Sequence, residues 1–414
     1  MNELAAGLVS VPGPADESTV DADIAGKLGD LAAGAGIRRV HVLAWRDLDD
    51  VEAGGSEVHA HEVLRRWAAA GLEVTLRTSY AQGQPPVVTR DGYRVIRRAG
   101  RYLVFPRAVG SEVAGRHGPS DAVVEIWNGV PFFSPLWAGR PRLVLLHHVH
   151  AEMWRMVLGG ETPLLASAGE ALERRLAPRA YRRTRVVTLC ESSRQEIVEM
   201  LGLRPGMVDV VAPGIDARFS PGATRDPQPT VVAVGRLVPV KRYDLLISAA
   251  AVARRTVPAL RIVIVGEGYQ RPALDAVVRE LGAEDWVSFA GHLRDAELVA
   301  LYRRAWVVAS ASAREGWGMS LTEAAACATP AVATRIAGHV DAVVDGRSGL
   351  LTDEGPDALG AALARVLGDG QLRQRLSDGA LARASALTWD ATATGVLGAL
   401  VADARRRPTS PRAR

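Results

Sequence analysis

Short apolar runs alternate with stretches of helical periodicity along nearly the whole chain, and the rhythm breaks once before starting again. From Arg38, RRVHVLAW reads as a buried strand, residues 53–55 as a loop, SEVHAHEVLRRWAAAG as a helix ending at Gly71, and EVTLRTSY as a second strand. A right-handed crossover makes two such strands parallel. Runs at DAVVEIW, RLVLLHHVH, RVVTLC and VDVVA continue the series, with helices predicted over 162–181 and 192–201. The break is PGIDARFSPGATRDPQP, residues 213–229, a composition that suits a linker. Beyond it TVVAVG, RIVIVG, WVSFAG, WVVASAS and PAVAT alternate with helices starting near Lys241, Arg271, Asp295 and Ser320. The pattern predicts an α/β chain of two doubly wound, Rossmann-like domains. Their expected bounds are 37–215 and 230–388, joined by 216–229, with flexible tails at 1–36 and 407–414. A terminal helix over 389–406 is expected to cross back to the first domain.

At 414 residues the chain outgrows a single hydrophobic core, in agreement with two domains. The opening MNELAAGLVS has neither a basic start nor a long apolar core, and no stretch reaches the roughly 18 apolar residues that span a bilayer. A cytoplasmic protein is therefore expected. Cys190 and Cys327 lie in apolar surroundings and read as buried thiols. Net charge is only +4, yet Arg174, Arg175, Arg179, Arg182, Arg183 and Arg185 crowd one segment and Arg94, Arg97, Arg98 and Arg101 another. Two readings stand for these clusters: peripheral contact with anionic lipid on the inner face of the membrane, or a solvated arginine-rich face. Without interleaved aromatics or a DNA-binding motif, nucleic acid is not an expected partner.

In an open α/β sheet the residues just after each strand meet the ligand. Arg236 follows the first strand of the second series, and Lys241 lies five residues on, two cations that suit a diphosphate or, alternatively, a surface ion pair. EGWGMSLTEAAACATP sits between two strands, and its Ser320 and Glu323 have the spacing of a capping box, which predicts a helix start at Ser320. Unpaired amides there would face an anion, and Gly316 and Gly318 would let it approach the backbone. Glu315 and Glu323 bracket the turn. Carboxylates beside a diphosphate repel it unless they bind hydroxyls, which a sugar and a ribose supply. Glu323 has the second reading of a simple helix cap.

These segments, GRLVPVK and the E-x7-E pair in this order, together with the AGGSE loop, the histidines after LVLLHHV, PGID and VGEG, resemble the family 4 retaining glycosyltransferases of GT-B fold. The resemblance runs from about Arg38 to the helix at Trp389. It implies two Rossmann-like domains facing across a cleft, the first for the acceptor and the second for a nucleoside-diphosphate sugar. Arg236 and Lys241 would hold the diphosphate, Glu315 the transferred sugar and Glu323 the ribose. Backbone groups at Trp317, Gly318, Met319 and Ser320 would line the donor site with Gly316 and Gly266, and Gly54 and Gly55 would line it from the first domain. A histidine after LVLLHHV would lie near the sugar. His150 is selected over His147 and His148 as the one past the strand, where alternation would bury at least one of the others. No cofactor and no metal are expected. The donor would be a GDP- or UDP-sugar, and the acceptor a small molecule, glycan or lipid-linked precursor.

Two patterns are set aside. Asp47-Leu48-Asp49 imitates a metal-binding D-x-D but precedes the glycine loop of the first domain, and reads as loop acidity. VGEGYQR imitates a dinucleotide fingerprint, but Arg271 takes the place of its third glycine. Ala328, Cys190 and residues 338–341 depart from the commoner family pattern. A sugar-nucleotide epimerase and a non-catalytic nucleotide-sugar sensor remain as rival readings.

Overall fold

The computed structural model describes residues 20–150, 167, 169–222 and 224–407. In the first half, β1 (Arg39–Leu43), β2 (Glu73–Thr78), β3 (Val87–Arg90), β4 (Tyr93–Arg97), β5 (Ala122–Ile126), β6 (Arg142–Leu145), β7 (Val186–Thr188) and β8 (Val208–Val210) form one sheet, in the order β3-β4-β2-β1-β5-β6-β7-β8. Its helices are α1 (Ala22–Ala33), α2 (Gly55–Ala69), α3 (Val104–Val113), α4 (Ser134–Trp137), α5 (Ala177–Tyr181) and α6 (Glu191–Leu201). In the second half, β9 (Thr230–Val234), β10 (Arg261–Val265), β11 (Val287–Gly291), β12 (Val307–Ser310), β13 (Ala331–Thr334) and β14 (Gly349–Thr352) pair as β11-β10-β9-β12-β13-β14. Between and after them lie α7 (Tyr243–Arg254), α8 (Arg271–Glu280), α9 (Asp295–Arg304), α10 (Met319–Ala326), α11 (His339–Ala342), α12 (Pro356–Gly368), α13 (Gly370–Ala384) and α14 (Trp389–Arg406).

The strands pair in parallel, apart from β3 with β4. That hairpin turns through Asp91 and Gly92, both at positive φ (42° and 83°), the geometry that a D-G dipeptide favours between antiparallel strands. It was not anticipated. The predicted helix over 162–181 falls partly outside the described residues. Within them, a π-helical turn at Leu172–Leu176 runs into α5.

Two expectations about the connecting segments are corrected. Residues 22–33 do not belong to a tail, because α1 buries Leu28 and Ala32 in the core of the first sheet, beside Trp67 and the α14 residues Val396, Leu397 and Leu400. Residues 216–229 are strapped to the second half: Arg225 donates to the carbonyls of Arg303 and Ala305, Arg303 to that of Ser220, and Trp306 to that of Asp226. The return of α14 to the first half follows the expectation. Trp67 Nε1 donates to the Ala393 carbonyl at 3.1 Å, and a Cβ on Gly214 would stand 2.1 Å from Trp389 N, so PGID and the start of α14 pack without room for a side chain.

The arginine clusters also divide. Arg97 is buried and paired with Asp47 and Asp49, so it does not face a lipid surface, and Arg101 is paired with Glu52. Asp47 and Asp49 are thereby accounted for as partners of Arg97 and Arg90 rather than as simple loop acidity. Among the described residues, no helix is long and apolar enough to cross a membrane and no cluster of His, Cys, Asp or Glu could hold a metal.

Candidate active site

In each sheet the strand order reverses once in the interior, between β1 and β5 in the first and between β9 and β12 in the second. Loops diverge there and leave a crevice beyond the strand ends. The loop after β9 carries Arg236 and Lys241, and the loop after β12 carries Glu315, Gly316 and Gly318. The second switch point therefore gathers residues some 75 positions apart in sequence onto one edge, as about half of a doubly wound sheet lies between them.

Lys241 and Glu315 meet in an ion pair, and Ser312 Oγ donates to the same carboxylate at 2.8 Å. Burial alone would raise the Glu315 carboxyl, but Lys241, His339 and the Ser312 hydroxyl outweigh it and hold it at about 2. Arg236 is exposed, and its electrostatic neighbours are Arg46, Glu57 and Arg101 of the first half as well as Glu315. Gly266 serves the site from behind. A Cβ there would stand 2.1 Å from the Gly235 carbonyl, so it lets the VGEG loop support the loop that bears Arg236.

The helix start differs from the expected capping box. α10 begins at Met319, and its N-cap is Gly318, held at φ 108°. This left-handed residue turns the chain two positions earlier than a Ser320 cap would, and it offers no side chain to the first amides of the helix. Glu323 is released from capping. It accepts from Tyr302 Oη at 3.2 Å, and burial pushes its carboxyl up to about 7 against the pull of that hydrogen bond. Trp317 is buried, with Nε1 on Thr322 Oγ1, so only its backbone is placed to reach a donor.

The first half closes on this edge. A Cβ on Gly55 would lie 2.9 Å from Met319 Sδ, and one on Gly316 would lie 2.8 Å from the His147 carbonyl. The start of α2 thus faces the start of α10. Gly54 is the N-cap of α2, and its amide donates to Glu57 Oε2 at 2.8 Å. β6 stops at Leu145, so His147, His148 and His150 all lie past the strand and the strand end does not single out His150, although His147 is buried as alternation implied. His147 turns to His59, with 3.4 Å between ring nitrogens. His148 stacks on His150 with centroids 4.7 Å apart, and it is His148 that feels Glu315 and Lys241. Burial holds His148 down to about 4 and His150 well below its ordinary value, which leaves both rings neutral near pH 7.

Residues 53–219 match the family described as Glycosyltransferase Family 4, and residues 215–383 match Glycosyl transferases group 1. The chain is 34% identical over 397 residues to a D-inositol 3-phosphate glycosyltransferase of Kineococcus radiotolerans, covering 84% of this chain and 90% of that one. A second, from Salinispora arenicola, is 31% identical over 403 residues, covering 86% and 89%. The chain belongs to the family 4 glycosyltransferases of GT-B type. The fold agrees with solved structures. Sucrose-phosphate synthase from Thermosynechococcus elongatus superimposes with a TM-score of 0.74 at 20% identity, covering 86% of this chain and 96% of that one. Anabaena HepE in complex with UDP and glucose gives 0.64 at 18%, covering 84% and 95%. The glycosyltransferase is thus an enzyme of the hexosyl-transferring class that takes its sugar from a nucleotide-sugar.

Several residues of this glycosyltransferase's site were not foreseen. Ser312 and Tyr302, which hold the two glutamates, lie in the loop just past β12 and inside α9, positions where a lone hydroxyl carries no sequence signal. Arg46, whose guanidinium stacks 4.4 Å over Trp45, was equally silent. Asp341 and Cys190 had a signal, as departures from the family pattern, but no contact could be assigned to them from sequence.

Proposed function

We propose that this enzyme transfers a hexose from a UDP- or GDP-sugar to an acceptor hydroxyl with retention of anomeric configuration and without a metal. The observation that carries the reading is the junction of Lys241, Glu315 and the uncapped start of α10 at one sheet switch point. In this reading Arg236, Lys241 and the first amides of α10 take the diphosphate and stabilise it as it leaves. Glu315 and Glu323 accept hydroxyls of the sugar and of the ribose. The acceptor attacks from the face that the diphosphate leaves, beside the neutral His148–His150 stack. Because Asp47 and Asp49 are engaged by Arg90 and Arg97, the charge of the diphosphate falls to the cations and the helix end.

The named acceptor of the curated relatives, an inositol phosphate, makes a phosphorylated polyol the first acceptor class to test. A lipid-linked acceptor is the second. Arg174, Arg175, Arg179, Arg182 and Arg183 are exposed around Leu176, itself 53% exposed, and this basic face is where a contact with anionic lipid would be made.

A thermal-shift screen of nucleotide-sugars names the donor, since a ligand at 100 times its dissociation constant adds about 2.7 kcal/mol. Product analysis with that donor and a panel of acceptors then tests the rest. An inverted product sinks retention, loss of turnover in chelator sinks metal independence, and isomerisation of donor without acceptor would make the enzyme an epimerase.

A further inference from the structure

Helix α6 of the first half begins without a cap of its own. Its N-cap Cys190 supplies no side-chain hydrogen bond to the helix amides, and its thiol is directed instead at the Gly316 carbonyl at 3.3 Å. The group that meets the α6 start comes from the other half: Asp341 Oδ2 accepts from the Ser192 amide at 3.3 Å and from the Ser192 hydroxyl. The same hydroxyl accepts from the Gly338 amide at 2.9 Å. Gly338 in turn presses on the donor loop, since a Cβ there would stand 2.6 Å from the Glu315 carbonyl and 2.9 Å from Trp317 N. Further along α6, Glu196 accepts from Arg314, the residue before Glu315, at 3.0 Å. One helix of the first half therefore touches the donor loop on both sides of Glu315.

We infer that Asp341 is a positioning residue, which caps α6 across the cleft and thereby ties closure of the two halves to the placement of the Glu315 loop. A carboxylate at a helix start is favoured by the unpaired amides and by the helix dipole, and this interaction exists only while the halves are together. Parting them would leave α6 uncapped. Conversely, a donor that draws the 315–318 loop into place brings Gly338 and Asp341 to Ser192. The interaction belongs to the closed arrangement alone, so its contribution appears in turnover and in closure more than in the folding of either half.

The inference rests on the assignment of the Glu315 loop to the donor, and the test separates the two. Asp341→Ala and Asp341→Asn are compared with the unaltered enzyme in kcat and KM, and in the compaction that small-angle scattering records on adding UDP or GDP, whichever the enzyme binds. Asp341→Ala is expected to lower kcat about fivefold to tenfold, the scale of a lost cap, and to reduce the compaction. Asp341→Asn, which keeps an acceptor oxygen, is expected to recover part of both. Ser192→Ala serves as the second variant should Asp341→Ala fold poorly, and is expected to behave in the same direction. Unchanged kcat and unchanged compaction in Asp341→Ala overturn the inference. Glu315→Ala, measured alongside, overturns the donor assignment if it stays fully active, in which case scattering alone judges the tie between the halves.

Discussion

Lys241 and Glu315, to which the family resemblance gives the diphosphate and the adjoining sugar of the donor, are bound to each other. The pair keeps the Glu315 carboxylate ionised in a half-buried site. A donor entering it must share or divide them, trading one ion pair for phosphate on Lys241 and hydroxyls on Glu315. Lys241→Ala strands the carboxylate, and should cost about 1–3 kcal/mol of stability together with nearly all turnover. Adding Glu315→Ala should return part of the stability and none of the activity. Chemical denaturation of the two single variants and the double variant checks this, and additive losses would count against a coupled pair.

The same pair sets an acid limit. Glu315 sits at about 2 in the folded protein, below its ordinary 4.5. Its contribution is complete above pH 4.5 and is lost as the pH falls through 2. Glu315→Gln should flatten the stability profile in that window and nowhere above it, as followed by thermal melts at stepped pH.

Glu323 has the opposite sign. Its folded value of about 7 exceeds the ordinary 4.5, so its favourable contribution is complete below pH 4.5 and is lost as the pH rises through 7. Over that window stability should fall by up to about 3 kcal/mol, and Glu323→Gln should remove the fall. Donor affinity should run the other way, strengthening as Glu323 ionises and can accept two ribose hydroxyls. Calorimetric titration of the donor at about pH 6 and about pH 8, roughly one unit either side of the transition, would show an unchanged affinity if Glu323 does not touch the ribose.

Gly316 has no space for a methyl group, because the His147 carbonyl occupies it. Gly316→Ala should force the donor loop and the first half apart. Turnover should drop more than about tenfold while the melting temperature moves by only a few degrees. A large melting shift with normal turnover would mean that the contact supports folding rather than the site.

Ala328 is held at φ 57°, a left-handed conformation that costs an alanine about 1–2 kcal/mol. Part of that is offset by the freedom glycine brings to the unfolded chain. Ala328→Gly should therefore stabilise the enzyme by about 0.5–1 kcal/mol without altering kcat, as read by denaturant titration. A destabilised variant would place the strain elsewhere.

Ala328 also marks a place where sequence and structure agree closely, since a departure from the commoner family pattern there coincides with a positive φ. The alternation of parallel strands with helices and the gathering of Arg236, Lys241 and Glu315 were legible because buried parallel strands are near-continuous apolar runs, and because ligands collect at their carboxyl ends. The cap of α10 was misplaced by two residues. Ser320 and Glu323 have the right spacing for a cap, but spacing cannot show that Gly318 has already turned the chain or that Tyr302 competes for the carboxylate. The histidines could not be ranked by the strand end, because the apolar run LVLL continues past Leu145, the last residue of β6. The packing of α1 and the β3–β4 hairpin were missed for different reasons. Leu28 and Ala32 are too few to declare an apolar face, whereas Asp91-Gly92 was a clear turn signal passed over.

The segment that completes the first half's core is made only after the whole second half. Val396, Leu397 and Leu400 are fully buried against strands and helices drawn from the opening residues of the chain. Each such side chain is worth about 1.5–3 kcal/mol when buried. During synthesis the N-terminal domain therefore cannot finish folding ahead of the C-terminal one, the order usual for multidomain chains. It must wait, incomplete, until the ribosome releases α14, and a nascent chain stalled anywhere before residue 400 should hold a first domain that proteases still cut.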